Sequence, residues 1–107
     1  MDLVLKGRGL RITDQIRRTA EHKLAKISRV DPRAERIEVE LTLERNPRIE
    51  GTHRVEVACT TTRHVFRAEG SGHGVEAALD EAVSHLERQM RSYRGKLRDR
   101  RQAGPSG

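Results

Sequence analysis

Arg91, Arg94, Arg98 and Arg101 recur at spacings of three, four and three, which on a helix aligns four guanidiniums along one flank. A row of planar, permanently charged donors suits the neutralisation of successive phosphates on a polyanion. Arg88, Lys96 and Arg100 fall in the same stretch, so residues 88–101 hold seven Lys/Arg and one Asp/Glu. Helix-end electrostatics explains only part of this run. The macrodipole favours cations within the last turn, and Arg88 and Arg91 stand well back from it.

Other chemistries fit less well. Gly70-Ser71-Gly72-His73-Gly74 reads as a loop between a strand and a helix N-terminus, a place where phosphates often bind. It lacks a Gly-Lys-Ser/Thr ending and the dinucleotide spacing, so it is read as a flexible turn and no cofactor is expected. The histidines His22, His53, His64, His73 and His85 show no close metal spacing, and no metal site is expected. No Ser/His/Asp or paired-carboxylate arrangement is visible; the chain is not read as an enzyme and no small-molecule substrate is expected. Cys59, alone in the chain, cannot form an internal disulfide and falls on the apolar side of a strand pattern, where a buried, inert thiol is expected.

The net charge of +6 is segregated. Residues 1–34 hold nine Lys/Arg against four Asp/Glu, residues 35–87 hold six against eleven, and 88–101 are the basic run already described. Positive ends around an acidic middle create a field that attracts a polyanion to one region and discourages it elsewhere. A membrane surface is a poorer partner, because the apolar stripe of the second helix is needed for the core. Apolar runs are far short of a membrane span, and the start of the chain does not resemble a signal peptide, so a cytoplasmic location is expected. Phe66 and Tyr93 are the only aromatics among Phe, Trp and Tyr, too few for a sheet that stacks bases in the manner of an RRM. The strand positions Glu38, Glu40, Glu44 and Glu56 are expected to repel phosphate, which leaves the helical side for RNA.

The elements that must position these cations are legible from periodicity. Leu3-Val4-Leu5 reads as a short strand closed by Gly7-Arg8-Gly9. Thr13 is a good N-cap for a helix whose stripe is Ile16, Ala20, Leu24 and Ile27, and Asp31-Pro32 ends it. From Arg36 the period changes to two: Ile37, Val39, Leu41 and Leu43 define one strand, Val55, Val57 and Cys59 a second. After a turn at Thr61-Thr62-Arg63, a third strand over 64–69 faces Phe66 and Ala68 inward. A long helix from about Val75 to Arg101 carries the stripe Val75, Leu79, Ala82, Val83, Leu86, Met90, Tyr93 and Leu97. At about 40 Å it exceeds an eight-residue strand of about 26 Å, so its basic end should overhang the sheet. The fold class is α+β: the order β-α-β-β-β-α, with one parallel crossover and then a meander, places two helices on one face of a four-stranded sheet. Residues 1–101 form this domain and 102–107 a flexible tail or the start of a linker.

Several blocks resemble the ribosome hibernation-promoting factors, a family that includes ribosome-associated inhibitor A and the plastid ribosome-associated proteins. They are Gly7-Arg8, Ile12-Thr13 and Lys23-Leu24-Ala25-Lys26-Ile27, then Ala68-Glu69-Gly70, Glu76-Ala77-Ala78-Leu79-Asp80 and Leu86 to Leu97. The resemblance implies the same β-α-β-β-β-α domain and binding to rRNA of the small ribosomal subunit, in the channel used by mRNA and tRNA, which holds ribosomes inactive. It further implies rRNA contacts from Arg8, Lys23 and Lys26 near the first helix and from Arg88, Arg91, Arg94, Lys96 and Arg98 on the second. Long members of the family add a C-terminal domain after a linker; the domain by itself is expected to be monomeric. Two other readings stay open: a general double-stranded-RNA-binding module, and a small enzyme using the Gly-rich loop.

Overall fold

The computed structural model of the chain describes residues 2–46 and 49–103, with side chains described outside 45–51 and 96–103. The elements are β1 (Asp2–Arg8), α1 (Asp14–Val30), β2 (Ala34–Asn46), β3 (Ile49–Thr61), β4 (Val65–Gly72) and α2 (Val75–Ala103). They form a four-stranded mixed sheet in the order β1-β2-β3-β4, with β1 parallel to β2 and the other pairs antiparallel. This is the expected order and class.

Local chemistry explains where α1 begins and stops. Thr13, extended at φ −84° and ψ 166°, accepts the Ile16 N–H on its hydroxyl at 3.2 Å, and Asp14 adds negative charge to the first turn. At the other end Asp31 donates its backbone N–H to Ile27, and its buried carboxylate accepts from the Arg33 amide and guanidinium at 3.0 and 3.2 Å. Pro32 follows and cannot continue the helix.

The sheet buries its periodic residues against both helices. Ile37, Val39 and Leu41 of β2, Val55, Val57 and Cys59 of β3, and Phe66 and Ala68 of β4 share one core with Ala20, Leu24 and Ile27 of α1 and Leu79, Val83, Leu86 and Met90 of α2. Ile16, Val75 and Tyr93 pack at its margin, Val30 and Ala78 are additional buried members, and Leu97 lies outside the described side chains.

Three boundaries differ from expectation. β1 runs on through Gly7 and Arg8, and the chain turns at Gly9, whose φ of +71° suits glycine. β2 and β3 reach 13 residues each, while β1 and β4, with seven and eight, keep the short length from which an overhang is expected. The segment from Gly70 is not a flexible loop: Gly70, Ser71 and Gly72 are β4 residues paired with Val55, Arg54 and His53. The reason is packing. A Cβ on Gly70 would stand 2.5 Å from the Ala78 carbonyl and closer still to the Ala82 amide, and one on Gly72 would meet Ala77 Cβ at 2.8 Å. These glycines let the backbone of α2 lie directly on the strand.

Because β1, β2 and β4 point the same way, each helix must run back against them. Ala77 and Ala78 lie over Gly72, and Tyr93 packs on Phe66, so α2 retraces β4. From Arg94 to Ala103 it continues past the β3–β4 turn, by roughly 15 Å at ~1.5 Å per residue. The molecule is elongated, 61 × 29 × 16 Å. Both helices leave the sheet at the end where β2 begins and β3 ends.

Candidate nucleic-acid interface

The helix exits gather positive charge in space. Lys26 and Arg88 are exposed and make no ion pair among the described residues. Arg91 is also exposed and is held by Glu87 one turn earlier, with Nη2 at 2.9 Å and Nε at 3.1 Å from Oε1. Arg29, in the last turn of α1, and Arg63, in the β3–β4 turn, are exposed at the same end, and Arg33 is partly turned to Asp31. Sequence spacing missed Arg29, Arg33 and Arg63, because they sit in three different segments that only the sheet topology brings together. Their closeness to segment ends was the one available signal.

Two of the expected contacts join elements of the fold. Lys23 Nζ meets Asp80 Oδ1 of α2 at 2.5 Å, and its side chain is only 17% exposed. Arg94 donates from Nη1 to the carbonyl of Val30, one of the orphan acceptors at the end of α1. Lys23 and Arg94 therefore tie α1 to α2 at two points along their contact. Lys96 and Arg98 lie on the helical backbone beyond, outside the described side chains.

Arg8 is not part of this group. It lies on the opposite, open face of the sheet, where Nε meets Glu40 Oε1 at 3.2 Å. That face is also less acidic than its glutamates suggest. Arg36 pairs with Glu38 at 3.0 Å, and Arg54 stands 2.9 Å from Glu69 and 3.6 Å from both Glu44 and Glu56. The hydrogen bond and charge of Glu69, with help from Glu56 and Glu44, raise the Arg54 pKa. Lys6 and Arg67 border the same shallow surface. Matched charges, with no excess of carboxylate, make this face a poor site for phosphate.

No cluster of metal-ligating side chains occurs among the described residues, and none of their helices is long and apolar enough to cross a membrane. Cys59 is fully buried, and burial, with a smaller contribution from Asp31, pushes its pKa up to about 11, so the nucleophilic thiolate is suppressed.

An α+β domain with two basic helices on one face of a mixed sheet is the class these observations define. Residues 3–98 match the family described as sigma 54 modulation protein / S30EA ribosomal protein, and the chain belongs to that family. It is similar to the ribosome hibernation promotion factor of Mycobacterium tuberculosis, 38% identical over 98 residues, covering 91% of this chain and 44% of the relative. It is similar also to that of Deinococcus radiodurans, 32% identical over 100 residues, covering 94% of this chain and 52% of the relative. The chain thus spans about half the length of the curated relatives it matches. Among solved structures, the N-terminal domain of Thermus thermophilus Protein Y matches with a TM-score of 0.75 and 33% identity, over 87% of this chain and 99% of that domain.

Proposed function

We propose that this domain is a ribosome hibernation module that binds rRNA of the small subunit in the mRNA and tRNA channel and blocks translation by occupying it. The observation that carries the reading is the convergence at the helix exits of Lys26, Arg29, Arg63 and Arg88, cations with no ion pair among the described residues, in a chain of this family, opposite a sheet face where Arg8, Arg36 and Arg54 are held by glutamates. Lys26, Arg88 and Arg91, with Lys96 and Arg98 further along α2, are the proposed phosphate contacts. Lys23 and Arg94 contribute by fixing the angle between the helices as well as by charge, and Arg8 contributes least. No reaction is required: a wedge that neutralises several phosphates excludes other ligands by occupancy, and relative affinity and concentration decide the outcome.

The test is binding of labelled protein to small subunits, empty or preloaded with mRNA and P-site tRNA. Strong binding to empty subunits and loss on loaded ones is the expected result; undiminished binding to loaded subunits rules out channel occupancy. Equal affinity for a generic RNA duplex would instead favour a general double-stranded-RNA module.

A further inference from the structure

The only phenylalanine and the only tyrosine of the chain meet at the β3–β4 turn, and a histidine completes the group. Phe66 and Tyr93 pack edge to face with centroids 5.2 Å apart. His64 stacks on Tyr93 at 4.7 Å with the rings 17° apart, and meets Phe66 at 4.6 Å and 66°. Phe66 is buried, Tyr93 half-buried and His64 exposed. Were Phe66 on the far side of the imidazole, it would lie much further from Tyr93 than 5.2 Å. The imidazole face turned away from Tyr93 is therefore covered by neither ring.

That exposed ring is held in place. The Thr61 hydroxyl accepts the N–H groups of Arg63 and His64 at 3.4 and 3.1 Å and donates to the His64 carbonyl at 3.1 Å, and the Thr61 N–H donates to the same carbonyl at 2.9 Å. Stacking on Tyr93 fixes the side chain. A planar group that docks on a pre-ordered ring loses little affinity to ordering the protein. The flanks are cationic: Arg63 precedes His64 and is exposed, and Arg94 follows Tyr93.

We propose that the outer face of His64 is a stacking platform for one unpaired nucleobase of RNA, extending the Tyr93–His64 stack by a third ring while the neighbouring arginines face its phosphates. This rests on the reading that the helix exits face rRNA, and deepens it: the contact is not electrostatic alone, and the partner must offer a base free of its own helix. A continuous duplex hides its base faces and cannot use the platform.

The experiment compares wild type, His64→Ala and His64→Phe for binding to small ribosomal subunits at several salt concentrations, after matched melting curves show that all three fold. His64→Ala should weaken binding roughly tenfold or more with the salt dependence unchanged, because a stack and not a phosphate contact is lost, and His64→Phe should stay within about twofold of wild type. Unweakened binding by His64→Ala overturns the platform and leaves the proposed function standing. If wild type itself fails to bind subunits, the proposed function falls, and the platform is judged by nuclear magnetic resonance with a short oligoadenylate. Upfield shifts of the His64 ring protons, absent with a blunt RNA duplex, support it; unshifted ring protons overturn it.

Discussion

Single atoms decide the fate of the glycines here, and they do so with opposite signs. Gly70 faces the backbone of α2 with no room for a methyl group, whereas Gly95 lies within α2 and a Cβ there would meet nothing within 4 Å. Gly70→Ala should therefore destabilise the domain by about 2 to 3 kcal/mol, since the obstacle is backbone and cannot swing away. Gly95→Ala should stabilise it by about 0.5 to 1 kcal/mol through helix propensity. Urea denaturation of the two variants checks both signs. Cys59 gives a second test at this scale. Its thiol titrates near 11 when folded against 9.0 when free, so between these values the folded state keeps a proton that the unfolded state has lost. The resulting stabilisation is complete below about pH 9 and disappears as pH rises through about 11, a change of roughly 2 to 3 kcal/mol. Cys59→Ala should lack that step in a comparison of stability against pH, and wild-type Cys59 should resist alkylation at neutral pH until the domain unfolds.

At the scale of the element, the two basic helices pack against each other through some of their cations and present others as the proposed phosphate contacts, and individual arginines divide between those tasks. Arg94 donates to the Val30 carbonyl, while Arg88 is exposed and makes no ion pair among the described residues. Arg94→Met should lower stability by about 1 kcal/mol by leaving that carbonyl without its donor. Arg88→Met should change stability by less than about 0.5 kcal/mol yet weaken binding to small subunits. Thermal denaturation beside co-sedimentation separates the two effects; equal stability losses would show that Arg94 is not a strut. The Lys23–Asp80 pair, with Asp80 61% exposed, is worth only about 0.2 to 1 kcal/mol. Its value lies in fixing where α1 and α2 present their other cations.

For the whole molecule, the sheet separates two electrostatic regimes. The open face holds Arg8, Arg36 and Arg54 against glutamates, and the helix exits present Lys26, Arg29, Arg63 and Arg88 with no ion pair among the described residues. Glu38→Gln combined with Glu40→Gln should leave binding to small subunits within about twofold, even though it frees Arg36 and Arg8, because in the proposed binding mode that face is turned away from the phosphates. Arg88→Glu combined with Arg91→Glu should abolish co-sedimentation at moderate salt. Wild-type affinity should itself fall by on the order of a thousandfold between low and physiological salt if six or more phosphates are contacted. A shallow salt dependence would remove the electrostatic basis of the proposed function.

Local and periodic features of the chain were enough to place its elements. Period-two and helical stripes reported the core faces of β2, β3, α1 and α2, and the Thr13 and Asp31 caps reported the ends of α1, because these signals depend on neighbours within a turn or a strand. The β-α-β-β-β-α order then left few topologies, since crossover handedness and short connections restrict the choice. What depended on distant segments meeting in space was not legible. The glycines at 70 and 72 look like a loop until α2 is laid on β4, and the glutamates of the open face look repulsive until Arg8, Arg36 and Arg54 are found beside them. Lys23 and Arg94 look like free cations until α1 and α2 are side by side. His64, Phe66 and Tyr93 are one histidine of five and two aromatics far apart in the chain until the β3–β4 turn meets the helix. Periodicity records which face of an element is buried; which partner lies against it is decided by contacts between residues far apart in the chain, and only tertiary packing specifies those.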